Sequence, residues 1–385
     1  MDLDWRTAMK ILILSCNTGE GHNSSGKALK NALTRRGVEC DIEDTLAFRS
    51  ERLSKAISYL YDLSIRTSLF GMTYRFAEWY CTLQLRSKSP VYAFNWLYAR
   101  KLAQHIEEGG YDGVICVHLF PAEAITRIRR KYGLCVPTIF VMTDYTCIPF
   151  LYETELDRYI IAHDSLTDEF VDKGLDRDKL QAVGIPVNED SFSRKVQKGA
   201  ARKEVESAFG WKASGGNWYL IMGGSMGFGN QNRLIGELNA RICRDDRVIC
   251  ICGRNGKLKE SIEYEFRECP CVKALGYTDK VAQLMDASDV LLTKPGGITS
   301  TEALIKNIPL VHIDPIKGLE EDNAAFFRNL GLALGSDTVE GQAEQAVMLC
   351  RDREARERMA RTQRLNSNRR CSNEIADIFI RMARQ

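Results

Sequence analysis

One pattern occurs twice in this chain and restricts its fold more than any other feature: a short apolar run, a glycine-rich loop, then a helix. The first copy leads from Lys10–Ser15 into Ser15-Cys16-Asn17-Thr18-Gly19-Glu20-Gly21-His22-Asn23-Ser24-Ser25-Gly26, with a helix expected over 25–36. The second leads from Trp218–Met222 into Gly223-Gly224-Ser225-Met226-Gly227-Phe228-Gly229 and another helix. Further short apolar runs at Val38–Ile42, Gly113–Val117, Thr138–Met142 and Tyr159–Ala162 belong to the first half. Val248–Cys252, Val290–Thr293 and Pro309–Ile313 belong to the second. Strands alternating with helices predict parallel sheets. The expected fold class is therefore α/β: two Rossmann-like domains facing across a cleft, over residues 1–190 and 191–385, with ligands at the carboxyl ends of the strands. The polar stretch 188–217, with a short amphipathic helix over 203–209, reads as the connection. The last helix, over 373–383, carries Ile375, Ile378, Phe379 and Met382 on one stripe and is expected to dock, back on the first domain.

Composition enters as a limit. A chain of 385 residues, 44% hydrophobic and 27% charged, has the make-up of a globular protein with a substantial core. Its start is polar and mixed in charge, which predicts no export signal, and no stretch approaches the roughly 18 apolar residues of a membrane-spanning helix. The net charge of +2 says nothing about partners on its own, and no nucleic-acid partner is expected. Thirteen scattered cysteines read as reduced thiols. The spacing of Cys250/Cys252 and Cys269/Cys271 is not the usual zinc pattern, and Cys250 and Cys252 fall on one face of an apolar strand. No convincing D-x-D metal site is present: Asp2-Leu3-Asp4 sits in the amino-terminal tail and Asp176-Arg177-Asp178 in a polar turn. No metal or other cofactor is expected.

Glycines let backbone N–H groups approach a ligand, and the helix that follows favours negative charge. A dinucleotide fold also wants an acid about twenty residues on, and Asp41, Glu43 and Asp44 lie near that place, so a nicotinamide enzyme stays open at this point. The segment Leu291–Glu302 (LLTKPGGITSTE) combines a strand end, a tight loop and a helix start. Thr299 and Glu302 fit a capping box; the functional reading gives Ser300, Thr301 and the helix N-terminus a diphosphate and Glu302 a ribose diol. Glu320-Glu321-Asp322-Asn323 follows on the next loop.

Taken together, Asn17–Ser25, Met142–Pro149, Gly184–Val187, Gly223–Gly229, Cys252–Asn255, Gly276–Asp279, Leu291–Leu304 and Glu320–Asn323 resemble the monogalactosyldiacylglycerol synthase and processive diacylglycerol glucosyltransferase family. That family is related to the N-acetylglucosaminyltransferase that forms lipid II. The resemblance implies the GT-B architecture, a UDP-sugar donor held mainly by the second domain, and inversion at the anomeric carbon. Carried over, Gly223, Gly224, Ser225 and Arg254 would line the donor site. The backbone at Gly276, Tyr277 and Thr278 would face uracil. Gly296, Gly297, Ser300 and Thr301 would meet the diphosphate, Glu302 the ribose, and Glu320 with Asn323 the sugar. Gly19 and Gly21 would lie on the acceptor side. Leu319 stands where a polar residue is common, so glucose, galactose and N-acetylglucosamine all stay open as the transferred sugar.

Inverting transfer needs a base for the acceptor hydroxyl and charge stabilisation for the leaving UDP. His22 is the expected base, since imidazole titrates near neutrality, with Asp144 and His118 placed to orient or replace it. The acceptor implied is a lipid alcohol, diacylglycerol first. Competing readings are a UDP-sugar 2-epimerase-like isomerase on the same fold, a nicotinamide-dependent oxidoreductase, and a non-catalytic UDP-sugar sensor.

Residues 46–105 carry nine Lys and Arg against three acids, a formal +6 that leaves −4 on the rest. They also hold 12 of the 34 aromatics, and Leu53, Ala56, Ile57, Leu60 and Tyr61 share a helical face. Basic residues are drawn to an anionic leaflet and aromatic rings suit its interface. The expectation is peripheral docking on an anionic membrane surface, on the cytoplasmic side of the cell membrane.

Overall fold

The computed structural model of the chain describes residues 9–17, 20–67, 69–83, 88–227 and 229–385. Gly19, Phe228, Arg86 and the Asp2-Leu3-Asp4 tripeptide lie outside the described residues.

The chain divides into two units: Met1–Glu189 with Lys317–Leu319 and Arg370–Gln385, and Asp190–Ile316 with Glu320–Arg369. The first contains β1 (Lys10–Ser15), β2 (Glu39–Asp44), β3 (Gly113–Cys116), β4 (Thr138–Val141), β5 (Arg158–Ile161) and β6 (Leu180–Ala182), in the order β2-β1-β3-β4-β5-β6. Every pairing is parallel. Ile11 and Ile13 point to one face and Leu12 and Leu14 to the other, and all four are fully buried. This is the signature of a parallel sheet covered on both faces. The helix Cys371–Ala383 completes the cover, with Ile375, Ile378 and Phe379 in the same core as Ile11 and Leu29. Arg36 clamps it, with Nε and Nη2 donating to the two oxygens of Asp377 at 2.6 and 2.9 Å and Nη1 donating to Asn373 Oδ1 at 2.6 Å. Gly113 makes room for it: a Cβ there would lie 2.7 Å from Phe379 Cζ.

The second unit contains β7 (Trp218–Met222), β8 (Arg247–Ile251), β9 (Val272–Leu275), β10 (Val290–Thr293), β11 (Leu310–His312) and β12 (Leu334–Gly335), all parallel, in the order β12-β11-β10-β7-β8-β9. Cys250 and Cys252 are buried in its apolar core, with Cys269 and Cys271 packed at the edge, and no disulfide is formed. Strands β6, β9 and β12 were not anticipated. They are edge or terminal strands only two to four residues long, and β9 alternates buried Val272 and Ala274 with exposed Lys273.

In each sheet the strand order reverses beside the first strand, between β1 and β3 and between β7 and β10. Ligands bind α/β sheets at such switch points, outside the carboxyl ends of the strands. The strand ends there are level: Thr293 pairs with Met222, and its hydroxyl donates to Met222 O at 2.9 Å.

Candidate active site

At the β1/β3 switch point the expected helix start moves. The helix runs from Glu20 to Thr34, five residues earlier than the sequence suggested. Gly21 and Gly26 are therefore helical. Gly26 faces the sheet, where a Cβ would sit in ordinary contact with Ile13 Cγ2 at 3.4 Å, and Ser25 beside it donates to Pro186 O at 3.0 Å. The acids after this helix are committed to the protein: Asp41 accepts from Tyr111 Oη at 2.9 Å, Glu43 lies 3.0 Å from His105 Nε2, and Asp44 accepts from Asn17, from Leu46 N and from Ser54.

This early helix carries His22 on its first turn, over the ends of β3 and β4. Val117 O lies 2.8 Å from His22 Nδ1. A carbonyl only accepts, so Nδ1 bears the proton and Nε2 keeps its lone pair in the neutral ring. Thr143 Oγ1 sits 3.1 Å from the same Nδ1 and donates to Asp144 Oδ2 at 3.3 Å. Burial lowers the His22 pKa below its ordinary 6.5; the charge of Asp144 and the bond to Val117 oppose that without reversing it. His118 packs edge-on, ring centres 4.6 Å apart. Its Nδ1 accepts from Phe120 N at 3.1 Å, capping the helix Leu119–Tyr132. Burial and then the neighbouring His22 hold its pKa well below 6.5. His22, Asp144 and His118 are thus brought together. Thr143, the link between two of them, was not singled out from sequence, because a lone threonine after a strand carries no signal.

At the β7/β10 switch point three glycine segments converge. Gly224, Gly227, Gly229 and Gly253 have φ of +72°, +59°, +112° and +59°. A Cβ on Gly253 would lie 2.3 Å from Ser225 O, and one on Gly227 would lie 2.4 Å from Cys252 O. Two backbones therefore touch where only glycine fits, and Arg254 N donates to Ser225 O at 2.8 Å. Gly276 lies beside them, a Cβ there being 3.8 Å from Gly253 O. Tyr277 next to it is 72% exposed, and Thr278 Oγ1 accepts from Lys280 N at 3.1 Å.

The segment after β10 corrects the capping-box reading. Gly296 is the N-cap of the helix Gly297–Lys306, so Thr299 and Glu302 both lie inside it. Ser300 N already donates to Gly296 O, which leaves the N–H groups of Gly297, Ile298 and Thr299 as the helix's unmatched first-turn donors. The hydroxyls expected to meet the diphosphate turn inward instead. Thr301 Oγ1 donates to Gly297 O at 2.7 Å, and Ser300 Oγ lies 3.1 Å from the buried His312 Nε2. Both side chains are buried, and a residue in mid-turn satisfies its hydroxyl on the preceding carbonyl or on the neighbouring strand. Asn323 is also corrected: it is wholly buried, and its amide donates to Pro295 O at 3.0 Å, bracing the loop from behind. Glu320 accepts from Lys294 Nζ at 2.6 Å and from Ile316 N at 2.9 Å. Glu302 differs from all of these. Water reaches part of its surface, yet protein surrounds the carboxyl closely enough that desolvation raises its pKa to about 8. Among the described residues no cluster of three or more His, Cys, Asp or Glu is placed to hold a metal ion.

The sequence profile of monogalactosyldiacylglycerol (MGDG) synthase matches residues 22–187, and that of the glycosyltransferase family 28 C-terminal domain matches residues 219–374. The processive diacylglycerol beta-glucosyltransferase of Bacillus subtilis (strain 168) is 28% identical over 357 residues, spanning 92% of this chain and 90% of that protein. Acinetobacter baumannii MurG shares the fold with a TM-score of 0.66 at 13% identity, over 97% of this chain and 99% of that one. The UDP-GlcNAc 2-epimerase of Neisseria meningitidis, solved with UDP-GlcNAc, matches with a TM-score of 0.61 at 14% identity, over 97% and 100%. The fold alone therefore does not separate transferase from epimerase; the sequence relationships do. The chain is a glycosyltransferase of the GT-B class. Its first half matches the monogalactosyldiacylglycerol synthase model, and over most of its length it is similar to processive diacylglycerol glucosyltransferases.

Proposed function

We propose that this enzyme transfers a hexose, with inversion, from a UDP-sugar to a lipid alcohol, diacylglycerol first, at an anionic membrane surface. The observation that carries the reading is the His22 tautomer. With Nδ1–H fixed on Val117 O, Nε2 is the free basic nitrogen, on the half of the chain that matches MGDG synthase. His22 Nε2 removes the acceptor hydroxyl proton as that oxygen attacks the anomeric carbon. The electron pair of the breaking C–O bond passes to the β-phosphate of the departing UDP. Thr143 and Asp144 hold the imidazole and favour the imidazolium that forms, and His118 packs against the ring.

On the donor side, the first-turn N–H groups of Gly297, Ile298 and Thr299 face the diphosphate, where a helix N-terminus favours an anion. The glycine segments let it approach, Glu302 takes the ribose, and the backbone after β9 takes uracil. The leaving group is stabilised by these fixed dipoles without a metal ion. UDP release that begins only when diacylglycerol vesicles are added is the expected result; equal release without lipid contradicts transfer.

Membrane docking rests on the helices Glu51–Arg66 and Leu69–Thr82. Leu69, Met72, Phe76 and Trp79 recur at helical spacing on the second, and Tyr59, Leu60 and Leu63 cluster on the first; these side chains are 42% to 71% exposed. A helix usually turns such a stripe into the core. Here the buried positions are Gly71 and Tyr74, and the apolar stripe faces out. Of the face read from sequence, Ala56 and Leu60 are exposed, while Leu53, Ile57 and Tyr61 are partly buried. Arg52, Lys55 and Arg75 on the same two helices are exposed, as are Arg49, Arg100 and Lys101 elsewhere in the basic stretch. No helix among the described residues is long and apolar enough to cross a membrane, and the enzyme is peripheral on the cytoplasmic leaflet. It should sediment with vesicles containing anionic lipid, be released by high salt, and bind neutral vesicles weakly. Equal, salt-insensitive binding to both would remove the electrostatic part of the proposal.

A further inference from the structure

The donor-site reading leaves one charged group without a task. Lys294, the residue between β10 and the Pro295-Gly296 turn, extends its side chain across Gly224: a Cβ on that glycine would lie 2.7 Å from Lys294 Cε. Its ammonium donates to Glu320 Oε1 at 2.6 Å, and a Cβ on Gly296 would lie 3.6 Å from that same oxygen. The ammonium thus occupies the gap between the glycine loop after β7 and the start of the helix Gly297–Lys306. The other oxygen of Glu320 accepts from Ile316 N at 2.9 Å, so each carboxylate oxygen has a donor of its own. The lysine side chain keeps 21% of its surface open, while the carboxylate keeps 9%.

Holding such a pair half out of water costs desolvation that a single contact offsets poorly. A lysine, however, has three N–H donors and Glu320 Oε1 takes one. The two that remain sit where two glycine segments leave space and where unmatched helix N–H groups begin. That is the arrangement an anion would complete, and a phosphoryl oxygen is the anion this site is read to receive.

We infer that Lys294 is a diphosphate ligand of the donor site, its ammonium bridging a phosphoryl oxygen of the UDP-sugar and Glu320 Oε1. The inference rests on the donor-site reading above and adds a cation to it. One ion pair then links recognition of the diphosphate to Glu320, the carboxylate that the family resemblance assigns to the sugar. It also makes Gly224 a sequence requirement of the lysine, since any side chain there would displace the stem.

The test is equilibrium binding of uridine and of UDP to the full chain and to Lys294→Met, Lys294→Arg and Glu320→Gln. Lys294→Met should lower UDP affinity by roughly tenfold to a hundredfold, the range of one charged hydrogen bond. Its uridine affinity should stay within about twofold of the parent's. Lys294→Arg, which keeps the charge, should recover part of the loss. Glu320→Gln keeps an acceptor for the ammonium while removing a negative charge beside the diphosphate, and should bind UDP at least as tightly as the parent chain. Unchanged UDP affinity in Lys294→Met would overturn the assignment. So would a parallel loss of uridine and UDP, because the lysine would then be holding the fold. Weaker UDP binding by Glu320→Gln would overturn the bridge. A parent chain that binds neither uridine nor UDP would remove the donor site itself and the lysine's role with it, a failure visible before any variant is made.

Discussion

The loop after β1 and the loop after β7 look alike in sequence and do opposite things. Both follow an apolar strand and both are rich in glycine. After β7 and β8 the glycines hold positive φ and let two backbones touch, at Gly227 against Cys252 and at Gly253 against Ser225. After β1, Gly21 and Gly26 are absorbed into a helix, and what the region presents is side chains: one histidine fixed by a carbonyl, one threonine, one aspartate. A glycine count does not distinguish a backbone binding site from a helix that packs closely on its sheet. Conformation and contact do.

The largest effect that separates the two regions is expected at His22. General-base catalysis contributes about 10²–10⁴ in rate, so His22→Ala should lose that much transfer while UDP affinity stays unchanged. Because the His22 pKa lies below 6.5, the parent enzyme should hold its rate through neutral pH and fall only in more acid solution. That limb should be missing from the variant's residual rate. Near-normal turnover would move the base to Asp144.

Next in size is a pair of glycine substitutions. Gly253→Ala forces a Cβ into Ser225 O at φ +59°, and should cost about 2–4 kcal/mol of stability along with UDP binding. Gly26→Ala meets Ile13 Cγ2 at 3.4 Å and Ile42 at 3.9 Å, ordinary contacts inside a helix, where alanine gains up to about 1 kcal/mol. Its net change should stay under about 1 kcal/mol. Thermal or denaturant melts of the two variants read the contrast directly, and equal costs would break it.

A smaller effect sharpens the donor side. Glu302 is held protonated up to a pKa of about 8 by desolvation, and ribose hydroxyls donate to the ionised form. UDP must therefore expel a proton below that pH. Affinity should rise with pH, by up to about tenfold per unit, and level off above about 8. Glu302→Gln has no such proton, so its pH dependence should be flat in this range, and at high pH it should bind UDP about tenfold more weakly. Equal pH slopes in calorimetric titrations would free Glu302 from the ribose.

Much of this was legible because the strongest signals are local. Trp218–Met222 and Val290–Thr293 read as strands at their observed bounds, since each is a fully buried run closed by a turn. The docking of the last helix was readable from Ile375, Ile378 and Phe379. What escaped depended on partners distant in sequence. The inward turn of Ser300 is decided by His312 on β11, the burial of Asn323 by Pro295, and the orientation of His22 by a carbonyl 95 residues away. The capping box failed because Gly296 takes the cap three residues before Thr299. A helix start fits several sequence patterns, and here the glycine turn decides among them. The outward stripe of Leu69, Met72, Phe76 and Trp79 was invisible for the same reason: periodicity tells that a helix has an apolar face and says nothing of what covers it.

The central claim is a division of labour, a base beside β1 and a donor site beside β7, serving transfer to lipid. The most direct measurement supplies the parent enzyme with anionic vesicles containing diacylglycerol and with each of UDP-glucose, UDP-galactose and UDP-N-acetylglucosamine, in excess EDTA. Lipid and nucleotide are then recovered, weighed by mass spectrometry, and the sugar's configuration determined. The account predicts diacylglycerol heavier by a sugar residue, with UDP as the recovered nucleotide and no loss of rate to the chelator. Unchanged lipid, together with a recovered UDP-sugar epimerised at C2, would contradict it.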